Sequence, residues 1–352
     1  MSFHKNNKFL LILMLAINGC NYKKIDKPYN KEFSYTELPV SSSSPALIEN
    51  ENGFTSEINF LAHENEKFIL YNHRVSFDQD GSVIKYVKLN SLEPLEYSES
   101  KSLKPNSKYK ERHISSIVLF ENKTWIYYVE GDSLRDQAKS YRALWHDGSL
   151  INVEPLNINK KLVVRSWQRF FSHNNKVYMV HTGGGMFFSV SEDGINFDSF
   201  KKVYGFSAQP RISVIDNKII IGFQKGNWQE GIMKSMVSIT EDYGNNWSQP
   251  KVITDKHKNV HDSYIHTRED GNVDIYYVHP IEGWNGFSLF RRCLTSNMEW
   301  GDPELLIDKE IGNVLSPNVS RVNKVKNVVL FVEQVSGYKP YAQVINGDAS
   351  CE

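Results

Sequence analysis

Five carboxylates, Glu57, Glu230, Asp262, Glu282 and Glu333, stand at recurring positions along a strand-rich chain of 352 residues. Hydrolysis of a glycosidic bond usually takes two carboxyl groups, one of them still protonated near neutral pH. These five are the candidates. Arg74, Arg112, Arg169 and Arg211 occupy similar positions, and a guanidinium can hold a substrate carboxylate in a bidentate fork. His113, Trp167, Tyr264 and His279 complete a polar and aromatic set. Two loops are alike, GNWQEG from Gly226 and IEGWNG from Ile281, and each sets an indole, Trp228 or Trp284, beside a glutamate. Exposed indoles offer flat faces to sugar rings, so the expected ligand is a glycan or oligosaccharide. Taken singly, each residue also suits a bland role, the indoles filling gaps between sheets and the charges facing water.

No metal and no cofactor are expected. His113, His181, His261 and His279 recur, but His261 and His266 are five apart, which on a strand puts them on opposite faces. HTGGGM from His181 lacks the lysine of a phosphate loop. There is no G-x-S-x-G elbow and no zinc-type cysteine pattern. Lys plus Arg and Asp plus Glu both number 41, so no net field draws the chain to nucleic acid.

The elements that must position these residues come as a repeat. Similar segments begin at Glu57, His113, Trp167, Gln209, Asp262 and Ser316. Each pairs two runs rich in Val, Ile, Phe and Tyr across a polar turn such as HNNK, DNK or EDGN, which is hairpin chemistry. Helical periodicity is not evident over comparable lengths. Six copies at roughly 45 to 55 residues predict an all-β, six-bladed β-propeller of four-stranded antiparallel blades over residues 32–352. An open sandwich or a five-bladed ring are the alternatives. The last copy lacks a fourth strand, which Phe33–Val40 could supply by joining the two chain ends.

TEDYGNNW, from Thr240 to Trp247, has the form [ST]-x-D-x-G-x-x-W, and SEDGINF, from Ser191 to Phe197, is a shorter relative. The hydroxyls of Ser191 and Thr240 and the carboxylates of Asp193 and Asp242 can bond the N–H groups of a tight turn. Gly194 and Gly244 supply positive φ, and Phe197 and Trp247 return to the sheet. These segments resemble the aspartate box of the sialidase and BNR-repeat β-propellers. The resemblance implies structural turns on the face opposite the substrate pocket, between third and fourth strands. Strand starts and second-to-third-strand loops then lie on the pocket face. For sialidases the family implies a tyrosine–glutamate nucleophile, an aspartate acid and three arginines. The family's Arg-Ile-Pro motif is absent, however, and Arg211-Ile212 is followed by Ser213, so that triad has no residue-by-residue assignment. Three readings remain: a sialidase-like exo-glycoside hydrolase, a non-catalytic lectin, and a protein-binding scaffold.

The N-terminus reads as a targeting segment. Lys5 and Lys8 precede an apolar run from Phe9 to Ile17, too short to span a bilayer. Ile17-Asn18-Gly19-Cys20 resembles a bacterial lipobox, which implies a signal peptide over 1–19, a lipidated Cys20 and a tether over 20–31. An ordinary secretory signal is the alternative. Lipid would anchor the protein to a membrane without a spanning helix, in the cell envelope, with Asn21 favouring the outer membrane. Cys293 and Cys351 then remain, to pair or to stay free.

Overall fold

The computed structural model describes residues 36–37, 45–50, 53–74, 82–103, 112–131, 139–158, 167–182, 185–197, 200–205, 207–215, 217–227, 232–253, 260–280, 285–308, 311–323, 326–334 and 337–351. Among these, every regular element is a strand. The strands fall into consecutive antiparallel groups, preceded by two short ones, β1 (Thr36–Glu37) and β2 (Ala46–Leu47). β3 (Phe54–His63), β4 (Glu66–Arg74) and β5 (Val83–Leu92) come first, with β6 (Leu95–Tyr97) and β7 (Lys101–Ser102) both pairing β5. Next come β8 (Arg112–Phe120), β9 (Lys123–Glu130), β10 (Lys139–His146) and β11 (Ser149–Pro155). β12 (Gln168–His173), β13 (Lys176–Thr182), β14 (Met186–Ser191) and β15 (Lys201–Tyr204) follow. Then come β16 (Ala208–Ile215), β17 (Lys218–Asn227), β18 (Ile232–Thr240) and β19 (Lys251–Val252). β20 (His261–Thr267), β21 (Val273–Pro280), β22 (Asn285–Leu294) and β23 (Glu304–Ile307) form another such meander. The last is β24 (Ile311–Asn323), β25 (Lys326–Gln334) and β26 (Tyr338–Asn346).

Burial explains the order. The second strand of each group is covered on both faces, so it must be nearly continuous apolar sequence: Phe68–Tyr71, Trp125–Tyr128, Val177–Val180, Ile219–Ile221 and Val328–Val332 are all buried. The core lies between groups rather than within them. Ile220 and Val237 meet Ile265, Ile275 and Phe290 across one such seam, and Tyr276 and Leu289 meet Val319, Val329 and Phe331 across the next. The first strands pack side by side in a cycle, β3 beside β8, then β12, β16, β20, β24 and β3 again.

Closure differs from the sequence expectation. Besides β25, β26 pairs β2, with Ala46 opposite Ala342 and Leu47 opposite Tyr341, and meets β3 at Tyr338 and Phe54, whereas Thr36–Glu37, inside the expected Phe33–Val40, runs parallel to β23. The apolar anchor decides this: Ile48, next to β2, is buried among Val328, Leu330 and Val344. A Cys293–Cys351 disulfide ties the segment after β26 to β22.

The two box turns lie between β14 and β15 and between β18 and β19. The Asp193 carboxylate accepts the backbone N–H groups of Ile195 and Asn196 at 2.8 Å, the Ser191 hydroxyl at 2.9 Å and the Asn196 side-chain amide at 2.6 Å. Asp242 accepts the Thr240 hydroxyl and the Asn246 N–H, both at 2.8 Å. Burial pushes Asp193 up, yet those donors outweigh it and hold the carboxyl well below the usual range. Gly194 and Gly244 have φ of 71° and 86°, and a Cβ on Gly244 would lie 2.5 Å from the Phe188 ring of the preceding group. Each box thus buttresses its neighbour: Tyr127 donates to the Gly194 carbonyl at 3.0 Å, and Trp247 meets Phe188 edge-on at 5.3 Å. Asp193→Ala is expected to lower stability by about 2 kcal/mol, the usual cost of losing hydrogen bonds to a charged acceptor. The urea unfolding midpoint measures this.

Candidate functional site

The cycle of first strands converges five of the candidate residues. Glu57 on β3, Arg169 on β12, Arg211 on β16, and Asp262 and Tyr264 on β20 form one electrostatic cluster. Arg169 Nη2 donates to the Glu57 carboxylate, and its Nη1 to the Gln168 carbonyl at 2.8 Å. Arg211 Nη1 donates to the Pro210 carbonyl at 3.1 Å. The Ser316 N–H donates to Asp262 Oδ2 at 3.1 Å, and the Gln209 side chain beside it favours the charged form of the Asp262 carboxyl. Beside them, Asn318 donates to Asn59 Oδ1 at 3.3 Å, and the Asn59 amide donates to the Glu57 carbonyl at 2.9 Å.

The two carboxyls are displaced in opposite directions. Burial pushes Glu57 up, but Arg169 and Arg211 beside it, the Arg169 hydrogen bond and His113 outweigh that and leave it below the usual range. Burial also pushes Asp262 up; the Ser316 N–H, Arg211 and Gln209 offset this only partly, and the Glu57 charge adds to it, so Asp262 stays above the usual range. Tyr264 is raised by burial against the pull of Arg211 and Arg169. Arg211 is pushed down to about 10, by burial first and then by Arg169, and so keeps its charge at neutral pH. A carboxyl held toward its charged form, a carboxyl pushed toward its protonated form and two guanidiniums are therefore present together. Environments that push two titratable groups apart in this way mark an acid and a base.

The chain matches no protein-family profile and no curated protein. Its likeness is to solved structures. A Dyadobacter fermentans protein of unknown function superposes with a TM-score of 0.68 at 11% identity, over 88% of this chain and 100% of that one. A mutant of the NanB sialidase from Streptococcus pneumoniae gives 0.64 at 10% identity, over 88% and 71%. The Trypanosoma rangeli sialidase in complex with sialic acid gives 0.58 at 14% identity, over 89% of this chain and 58% of that one. The fold is that of a sialidase-like β-propeller. At such identities the likeness speaks for the fold, and function must be argued from the site.

The other candidates spread through the propeller. His113, on β8, lies 3.3 Å from the Ser82 hydroxyl and reaches Glu57 electrostatically. Trp167 directly precedes β12, and its carbonyl accepts the Thr182 N–H at 3.2 Å. Arg74 ends β4 opposite Phe54. His279 is buried on β21 with its ring edge-on to Phe290. Glu333 is on β25, in register with Val314 and Lys339, and its charge is felt by Tyr341 on the third strand. Of Arg112 only the backbone is described, and Cys20, Trp228, Glu230, Glu282 and Trp284 lie outside the described residues. Sequence reasoning missed Ser316 as a donor to the Asp262 carboxyl and Asn59 as a donor to the Glu57 backbone carbonyl. For Ser316 the available signal was its repeat position, since it begins the same repeat unit as Glu57 and Asp262.

Proposed function

We propose that the strand groups are the blades of one six-bladed propeller, anchored at a bacterial cell envelope through lipid on Cys20, and that its axial cluster acts on glycans as an exo-acting glycoside hydrolase. The cycle of first strands supports the blade number. The observation that carries the functional reading is the opposite displacement of Glu57 and Asp262 beside two buried guanidiniums. In this reading the glycosidic C–O bond breaks as Asp262 protonates the departing oxygen, and water then adds to the sugar carbon and returns a proton to Asp262. Glu57, held ionised by Arg169, faces the positive charge that develops on the sugar. The two guanidiniums exceed the one ionised carboxylate by a single positive charge, which favours a sugar that itself carries a carboxylate.

Incubating the purified protein with sialylated, uronic-acid-bearing and neutral oligosaccharides, and following free monosaccharide by mass spectrometry, tests this. Release of one acidic sugar from chain ends is the expected result. Retention of oligosaccharide without release would move the reading to a non-catalytic glycan-binding propeller, and neither release nor retention to a protein-binding one. One observation favours a binding role: Arg169 already engages Glu57. The Cys293–Cys351 disulfide is what an oxidising, extracytoplasmic compartment permits. The anchor has its own test. Cys20→Ala is expected to move the protein from the membrane pellet to the soluble fraction and to abolish labelling by radioactive palmitate. Pelleting and labelling that survive the substitution would sink it.

A further inference from the structure

Four first strands carry an irregularity at one and the same place. Glu57, Gln209, Asp262 and Ser316 have φ of 51°, 47°, 43° and 49°, the left-handed region that residues with a Cβ rarely adopt. Each opens a bulge of one extra residue. The register steps from Ser56 to Asn59 on β3, from Ala208 to Arg211 on β16, from His261 to Tyr264 on β20 and from Leu315 to Asn318 on β24. The single residue left opposite each bulge is Tyr71, Phe223, Tyr277 or Phe331, every one of them fully buried. Left-handed non-glycine residues cost free energy and persist only where the surroundings impose them, which happens preferentially at working sites. A bulge re-aims the side chains around it.

All four residues bear on one carboxyl pair. Two are its members, Glu57 and Asp262. The third, Gln209, stands beside Asp262, and its side chain favours the charged form of that carboxyl. The fourth, Ser316, donates its backbone N–H to Asp262 Oδ2 at 3.1 Å. Four equivalent distortions on four strands thus supply the acid, its charge partner, a backbone donor to the acid and a polar side chain beside it.

We propose that the four left-handed bulge residues form one device that sets the Asp262 carboxyl for proton transfer, with Gln209 as its positioning residue. The inference rests on Asp262 being the acid of the reaction proposed above. The charged and titratable groups around Asp262 are Glu57 on β3, Arg169 on β12, Arg211 on β16 and Tyr264 on its own strand, while the hydrogen-bonded neighbour β21 carries Tyr277 and His279. The Gln209 side chain favours the charged form of Asp262, so losing it must favour the protonated form.

The test reads the carboxyl directly and needs no substrate. Protein labelled with 13C at aspartate carboxyls is titrated by NMR, with the Asp262 signal assigned from its loss in Asp262→Asn. Gln209→Leu is expected to raise the Asp262 midpoint by about one pH unit, a tenfold gain in proton affinity. Gln209→Gly is expected to raise it equally while unfolding at the same or a higher urea concentration, because glycine adopts the left-handed backbone without strain. An Asp262 midpoint that stays put in both variants overturns the proposal. So does a glycine variant that is clearly less stable, since the left-handed residue would then be serving the fold. If both variants shift Asp262 as expected but no glycan is turned over by the parent protein, the positioning stands and the hydrolase reading fails.

Discussion

Asp262→Asn is expected to lower the rate of sugar release by about 10²–10⁴-fold, the range that a positioned general acid contributes. The amide keeps the acceptor for the Ser316 N–H and the approximate volume, so KM should change far less than kcat. The loss should also depend on the leaving group. A sugar attached to a good leaving group, such as a nitrophenol, needs little protonation and should be cleaved at close to the parental rate. Glu57→Gln should behave differently. It removes the negative charge that the proposed reaction sets against the reacting carbon and also strands the Arg169 guanidinium that bonds it, so activated and natural substrates should suffer alike. Equal losses on both substrates for Asp262→Asn would exclude it as the acid.

The pH profile has a definite sign. In the proposed reaction, turnover needs Glu57 ionised and Asp262 protonated. The Glu57 carboxyl lies below its ordinary 4.5 because Arg169 and Arg211 outweigh its burial, so the acid limb should fall below that value. Asp262 lies above its ordinary 3.8 because it is buried, so the alkaline limb should be set by its loss of a proton and lie above that value. In Asp262→Asn the alkaline limb should disappear from whatever activity remains, while the acid limb persists. The two midpoints belong to the interacting pair, since each charge is felt by the other.

The hairpins are legible in the sequence because second strands covered on both faces have no choice but to be apolar, and the turns between them are polar. The boxes are legible for a local reason: Asp193 and Asp242 bond groups within four residues of themselves. The axial cluster is only half legible. Glu57, Arg169, Arg211, Asp262 and Tyr264 can be named from their strand positions, but Arg169 meets Glu57 across 112 residues of chain, and nothing near either residue announces the other. The bulges were hidden for a different reason. One extra residue reverses the inward and outward alternation downstream of it, and glutamate, glutamine, aspartate and serine carry no sign of positive φ as glycine would. The strand that completes the last group was misplaced because two residues hold no period, and its anchor, Ile48, is a single apolar residue. The pairing of Cys293 with Cys351 depends on a Cα separation of 5.1 Å, which spacing along the chain does not reveal.

Arg291→Met is expected to cost about 3–5 kcal/mol of stability, read from urea unfolding, because it leaves a buried carboxylate without its counter-charge. Arg291 and Glu304 are almost wholly buried and joined by a hydrogen-bonded ion pair. They also hold the chain's last residues: Arg291 Nη1 donates to the Gly347 carbonyl at 2.8 Å, and Glu304 Oε1 accepts the Ser350 N–H at 2.8 Å. Around them Asp274 accepts the Ala349 N–H at 3.3 Å, Arg268 donates to the Ala349 carbonyl at 2.9 Å, and a Cβ on Gly301 would collide with the Ser350 carbonyl at 2.2 Å. This segment follows β26 and lies against β21, β22 and Glu304 of β23, so it ties the last strand group to the one before it. The double variant Arg291→Met with Glu304→Leu should recover part of the loss by removing the stranded charge. Reduction of the Cys293–Cys351 bond, which closes a loop of 58 residues, should cost about 4 kcal/mol on the chain-entropy account. Asp274 adds a pH signature. Burial pushes its carboxyl up to about 7, against the pull of Arg268 and Arg291. Between its ordinary 3.8 and about 7 the folded state therefore holds a proton that the unfolded chain has released, and stability should fall as pH rises through that window. Asp274→Asn should flatten this slope while keeping the acceptor for Ala349, and an unchanged slope would show that Asp274 is not its source.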